Sequence, residues 1–190
     1  MEEYGMFTFN RVRFTMLVTA GVGVCMWLGV AAQAPSQIYG VGRPATKAEI
    51  DNWNIDVSPN GEGLPAGDGT AKRGAGLFAS KCAACHGATG TEGPMDRLVD
   101  GQGTLASPQP IKTVGSYWPY ATTLYDYIYR AMPFSSPQSL TPDEVYSIIA
   151  WILYRNGIIA EDTIIDARSL PNIQMPNRYG FAPDPLPDVK

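Results

Sequence analysis

The sequence predicts an all-α domain flanked by irregular extensions, and three observations carry that expectation. Segments near residues 70–81, 122–132 and 141–157 read as helices, the last with a full set of start and stop residues. No region is rich in strand signals, and no internal repeat runs through the chain. Glycine and proline gather between and outside those segments, where they mark loops. The length of 190 residues allows one ordinary domain plus extensions, and a hydrophobic content of 45% is that of a globular chain. With 14 basic against 18 acidic side chains and no basic cluster, nothing draws the chain to a nucleic-acid backbone.

Residues 1–34 form the first element. Arg11 and Arg13 precede an uncharged run from Phe14 to Ala32, the pattern of an export signal or a membrane anchor. At about 1.5 Å per residue such a helix reaches about 28 Å, so length alone does not separate the two readings. The small residues Ala31, Ala32 and Ala34 favour cleavage, and Pro35 favours a cut after Ala32 over one after Ala34. In either case the arginines stay cytoplasmic, and the working domain is expected in the periplasm, attached to the membrane only if the run is retained. Cys25 lies inside that run behind Val24, not behind the small residue that lipid attachment requires, and reads as one more small hydrophobe.

Residues 35–69 are read as an N-terminal extension holding one short capped helix, "ATKAEIDNW", and a glycine-rich linker. The domain proper is expected over 70–160. Its first helix runs from about Thr70 to Lys81, capped by Asp68 or Thr70, with Cys82 at its end and Gly74 and Phe78 on one face. Residues 94–115 read as a loop. "GSYWPYATT" leads into the next helix, capped by Thr122 or Thr123 and closed by Met132 and Pro133. "SLTPDEVYSIIAWILYRNG" then supplies Thr141 as N-cap, Pro142 at the first helical position, Glu144 as reciprocal cap and Gly157 beyond the end. Val145, Ile148, Ile149 and Ile152 make one apolar stripe with Trp151 beside it. A glycine facing an aromatic allows a close crossing, so Gly74 and Phe78 are paired with Ile148 and Trp151. Residues 161–190 carry five prolines and are expected to lie as an irregular strap on the domain or on a partner.

The chemistry concentrates in "KCAACHGATG" at 81–90, where two of the three cysteines and the only histidine fall within five residues. A structural zinc site needs two further ligands, and no Cys or His follows His86. A thioredoxin-like pair belongs at a helix N-terminus after a strand, whereas this pair ends a helical pattern. C-x-x-C-H is the attachment pattern of a c-type haem. The thiols of Cys82 and Cys85 form thioethers with the vinyl groups, and His86 is carried to the iron as proximal ligand. One covalent haem c is therefore the expected cofactor.

With a single histidine, the other axial position is left to Met, Lys, water or nothing, and bis-histidine ligation is impossible. Met1, Met6, Met16 and Met26 belong to the export segment, and Met95 follows His86 too closely to reach the opposite face easily. Met132 and Met175 remain, both before a proline. Met132, on a strap set by Pro133, is the expected ligand; Met175, in a proline-rich tail, is expected to pack on the surface. Ser116, Trp118 and Tyr120 stand just before the middle helix, and their polar tips could meet haem propionates or serve packing alone. No Ser/His/Asp set or carboxylate pair suggests a catalytic residue.

Gly74, Phe78, Cys82 to Gly87, Met132-Pro133 and a closing aromatic helix together resemble class I c-type cytochromes. "YGVGRPATKAEIDNWNIDV", "GQGTLASPQPIKTVGSYWPYATTLYDYIYRAMPF" and "QSLTPDEVYSIIAWILYRN", from Tyr39 to about Asn156, more narrowly resemble the cytochrome subunit of bacterial sulfite dehydrogenases and the haem domain of the SoxD-type sulfane dehydrogenase subunit, with an echo in "MPNRYGF" at Met175 to Phe181. The resemblance implies the class I cytochrome c fold, a single haem held by His86 and Met132, and electrons taken from a molybdopterin sulfite or sulfane dehydrogenase and handed to a further cytochrome or an oxidase. The longer sulfane dehydrogenase subunit looks like two haem domains, whereas this chain has one attachment site, which favours a monohaem sulfite dehydrogenase partner. Two other readings stay open: a haem enzyme with an open or displaceable distal site, and a membrane-anchored shuttle serving another dehydrogenase.

Overall fold

The computed structural model describes residues 41–51 and 53–183. The export or anchor reading of 14–32, and that of Cys25, lies outside them. The chain separates into two compact units, 1–44 and 45–190, and every element below belongs to the second. In order these are α1 (Lys47–Asp51), β1 (Asp68–Gly69), α2 (Ala71–Lys81), α3 (Ala83–His86), α4 (Ala121–Ala131), α5 (Pro142–Arg155), β2 (Ile165–Asp166) and a 3-10 turn (Leu170–Asn172). The expected all-α class I cytochrome c fold is the fold observed, with a two-residue antiparallel ladder, Asp68 opposite Asp166 and Gly69 opposite Ile165, as its one sheet among the described residues.

Helix α5 is the centre. Thr141 accepts from the Glu144 N–H and Glu144 reaches back to the Thr141 N–H, so two orphan donors at this end are satisfied reciprocally, and Pro142 brings none of its own. From Val145 to Leu153 every residue is buried, so the apolar surface is wider than the single stripe expected. The reason is that α5 is covered on several sides, by α2, by α4, by β1 and by the C-terminal tail. Burying each large aliphatic side chain contributes roughly 1.5–3 kcal/mol, so this helix holds much of the driving force for folding.

Thr70, not Asp68, caps α2 by accepting from the Arg73 N–H. Ala71, Gly74 and Phe78 are its buried face. A Cβ at Gly74 would lie 1.9 Å from the Ser147 carbonyl oxygen and 2.8 Å from Trp151 Cβ, so the helices touch backbone to backbone. Phe78 and Trp151 stack at 3.8 Å between ring centroids with 24° between planes. Gly74 therefore meets Ser147 and Trp151, and Trp151 is a partner expected for both Gly74 and Phe78.

Helix α4 begins at Ala121 after Tyr120, without a side-chain cap. Neither Thr122 nor Thr123 caps it, because both lie within its first turn. Thr122 donates to the Pro59 carbonyl and Thr123 to that of Tyr120. The first of these bonds belongs to the docking of the N-terminal extension. Val57 is buried and its N–H donates to Asp126, Arg130 pairs with Asp126 and Asp56, and Tyr146 donates to the Pro65 carbonyl. The tail is docked as firmly: Ile165, Leu170 and Met175 are all core residues. Residues 56–65 and the tail from Ile165 to Met175 thus pack on the helices as parts of the second unit.

Candidate cofactor site

The site grows out of the end of α2. The Cys82 N–H donates to the Phe78 carbonyl, closing α2, and Cys82 itself opens the single turn α3. Within that turn Cys82, Cys85 and His86 stand at i, i+3 and i+4, which places them on one side of the helix. Gly87, at φ 80°, ends the turn in a conformation that only glycine adopts without strain. The chain then folds back on itself, and the Met95 N–H donates to the Cys85 carbonyl at 2.9 Å. Glu92 holds the returning loop. Hydrogen bonds from the Thr89 and Thr91 hydroxyls, then from their N–H groups, lower its carboxyl to about 2 despite the opposing effect of desolvation.

His86 Nδ1 lies 2.8 Å from the Asp96 carbonyl oxygen. A carbonyl only accepts, so Nδ1 carries the proton and the Nε2 lone pair is left for a metal. The two thiols are free. Burial, ahead of the opposing pull of Lys81, raises the Cys82 thiol to about 11, and its place at the C-terminal end of α2 also disfavours a thiolate. This is the reverse of a thioredoxin-like pair. No group of three or more His, Cys, Asp or Glu gathers among the described residues, so a zinc cage of those residues is absent there.

Met132 caps the far end of α4 with extended backbone, followed by a cis peptide bond to Pro133. Cys82, Trp118 and Met132 are each partly covered and pack against the same apolar cluster. Two thiols, an imidazole whose Nε2 is left free and a thioether at the edge of the core are the donors that a covalently tethered porphyrin requires. The residues present fit a c-type haem.

The remaining expected site residues divide. Trp118 meets Tyr127 edge-on at 5.8 Å, and Tyr120 lies under the Arg178 guanidinium at 4.1 Å. Ser116 is buried, accepts from the Thr113 N–H and donates its only proton to the Ile111 carbonyl at 2.6 Å. That proton is committed to its own turn and not to a propionate. Met175 is 3% exposed, a core residue and not the surface residue expected. Sequence reasoning did not find the Asp96 carbonyl, the Glu92 anchor or Asn156, which is buried at the end of α5 and bonds Leu98, Asp100 and Gln102 of the loop. Only Glu92 had a local signal, in two hydroxyl residues, Thr89 and Thr91, just before a lone carboxylate.

The family described as cytochrome C oxidase, cbb3-type, subunit III matches residues 69–152. A chain in the crystal structure of the sulfane dehydrogenase SoxCD from Paracoccus pantotrophus is 44% identical and superposes with a TM-score of 0.70, over 77% of this chain and 72% of that one. The chain belongs to the SoxD-type c-type cytochromes. A partial likeness, to the thiosulfate dehydrogenase TsdBA from Marichromatium purpuratum, has 28% identity and a TM-score of 0.33 over 44% of this cytochrome and 17% of that chain, too little for a comparison of folds. No curated protein matches significantly. The cytochrome is an electron-carrying protein of the kind that uses haem c.

Proposed function

We propose that this cytochrome is an exported, monohaem electron acceptor for a molybdenum-cofactor dehydrogenase of the sulfane or sulfite type, and that it passes single electrons to a further cytochrome or an oxidase. The observation that carries the reading is the 44% identity with a chain of SoxCD over most of both chains, which favours a sulfane-type donor over a sulfite-type one. Cys82 and Cys85 would hold the cofactor through sulfur, and His86 Nε2 and Met132 Sδ would hold its iron. Haem c bound there supplies one-electron Fe(III)/Fe(II) chemistry.

The residues divide the remaining work. Asp96, through its carbonyl, fixes the ring of His86 and makes Nε2 a better donor. Met132, a thioether, favours the ferrous state over what a second imidazole would give. The buried Phe78–Trp151 stack and the apolar cluster keep water from one side. Residues 14–32 would direct export and either be removed or remain as an anchor.

The holoprotein, matured in a host that attaches c-type haem, should be low-spin with the near-infrared thioether-to-iron band. It should also be reduced by the catalytic subunit of a sulfane dehydrogenase turning over its substrate. A high-spin ferric spectrum that takes up azide or cyanide readily would replace this reading with that of a haem enzyme. N-terminal sequencing of the mature protein separates cleavage from anchoring.

A further inference from the structure

Helix α1 has a complete local cap and no buried residue. The Thr46 N–H donates to Glu49 Oε2 at 2.8 Å, the Glu49 N–H returns to Thr46 Oγ1, and Lys47 pairs with Asp51 across one turn. The core takes up this extension only further along, at Ile55, half-buried, and Val57, 7% exposed. Isolated helices this short are marginal in water, so the cap holds a shape that burial does not support. What the shape displays is apolar. Ile50 and Trp53, three residues apart, stand 52% and 86% exposed, and the Trp53 and Asn54 N–H groups both donate to the Ile50 carbonyl. With Ala45, Glu49, Asn54 and Asp56 they line one open groove.

Charge decides what fits that groove. Residues 45–56 carry Glu49, Asp51 and Asp56 against Lys47 alone, on a chain whose net charge is -4. Anionic lipid is repelled by that sign, and a second copy of the same acidic chain is disfavoured by it. A protein slot with lysines or arginines around an apolar floor is attracted. Position decides which protein. Asp56, at the root of the arm, pairs with Arg130 in the last turn of α4, and Met132 caps that helix two residues on. A partner seated on the arm therefore stands at the end of α4 that carries the expected axial ligand, where an electron donor must come close.

We propose that α1 and Trp53 form a docking arm for the catalytic subunit of the dehydrogenase, with Ile50 and Trp53 entering an apolar slot whose basic rim faces Glu49, Asp51 and Asp56. The proposal rests on the donor named in the preceding section. The indole is the anchor, since a few large side chains, tryptophan foremost, carry most of the energy of such contacts.

Steady-state reduction of the holoprotein by the catalytic subunit of a sulfane dehydrogenase, turning over its substrate, tests this with Trp53→Ser and Asp51→Lys. Trp53→Ser should raise the KM for the cytochrome about tenfold or more, with kcat unchanged, because the contact is the same before and during electron transfer. Its haem spectrum and urea midpoint should match the wild type, since the side chain is exposed on the free chain. Asp51→Lys should also raise KM, and should flatten the fall in rate that added salt causes in the wild type. Chymotrypsin cleavage after Trp53 of the wild type, followed by mass spectrometry, should slow when the catalytic subunit is added. A Trp53→Ser protein with the wild-type KM, or a cleavage rate that the subunit leaves unchanged, overturns the proposal while leaving the donor standing. So does protection of Trp53 by phosphatidylglycerol vesicles, or by the cytochrome itself at raised concentration, in place of the subunit, which would give the arm to a membrane or to a second copy. A wild type that the dehydrogenase does not reduce sinks the preceding reading, and the partner of the arm with it.

Discussion

Met132 and Met175 differ at the scale of a single residue, and the difference gives a clean test. Met132 is partly covered at the end of α4, whereas Met175 is 3% exposed within the core. Met132→Ala should convert the haem to high spin and lower its potential, seen in the visible spectrum and by redox titration. Met175→Ala should leave the ligand band in place but cost about 2–5 kcal/mol of stability in a urea titration, since it leaves a cavity. If the second substitution gives the high-spin spectrum, the ligand is reassigned. The C-x-x-C-H spacing could be read directly because attachment chemistry demands those residue types in that order. The burial of Met175 could not, because prolines nearby signal an irregular path and say nothing of what the path covers. Nor could the Asp96 carbonyl that orients His86, since every residue carries the same backbone oxygen.

Two contacts between elements decide how the helices are set. Where α2 crosses α5, Gly74 leaves no space for a side chain, and Gly74→Ala must push the helices apart or bend one. A loss of about 1–3 kcal/mol is expected, with a lower urea midpoint; an unchanged midpoint would mean that the crossing is looser than described. The docking of residues 56–65 on α4 depends on Asp126. Burial alone would raise its carboxyl, but hydrogen bonds from Arg130 and the Val57 N–H, with the Arg130 charge, outweigh burial and hold it below the usual carboxylate range. The folded value thus lies below the unfolded one of about 3.9, so the stabilisation is complete above that pH and is lost as pH falls through the folded value. Limited proteolysis should therefore find residues 53–65 increasingly open below about pH 4, and the stability gap between wild type and Asp126→Asn should close over the same range. A gap that stays constant with pH would remove Asp126 from the docking. Helix ends with complete cap signals, as at Thr141, were legible from local spacing. The start of α4 was not, because the Thr122 hydroxyl that local rules assign to a cap is taken by Pro59, 63 residues away.

At the scale of the whole molecule, the domain is not finished at residue 160. Ile165, Leu170 and Met175 fill the core, and β2 pairs with β1 across the chain. At roughly 1.5–3 kcal/mol for each buried side chain, against a total stability of about 5–15 kcal/mol, their removal takes most of the margin. A chain ending at Ala160 should lose its cooperative unfolding transition by circular dichroism; a sharp transition near that of the full chain would show that the tail only decorates a complete fold. The proline-rich composition correctly suggested an irregular path for the tail, but it hid the fact that the path is structural. A consequence concerns the order of events during biogenesis. With the export proposed above, the sulfurs of Cys82 and Cys85 would emerge well before Met175, so an attachment machinery would reach them while the core is still open. Maturation and folding would not compete, since the stretch from Ile165 to Met175, which follows the cysteines along the chain, is the one that shuts the door.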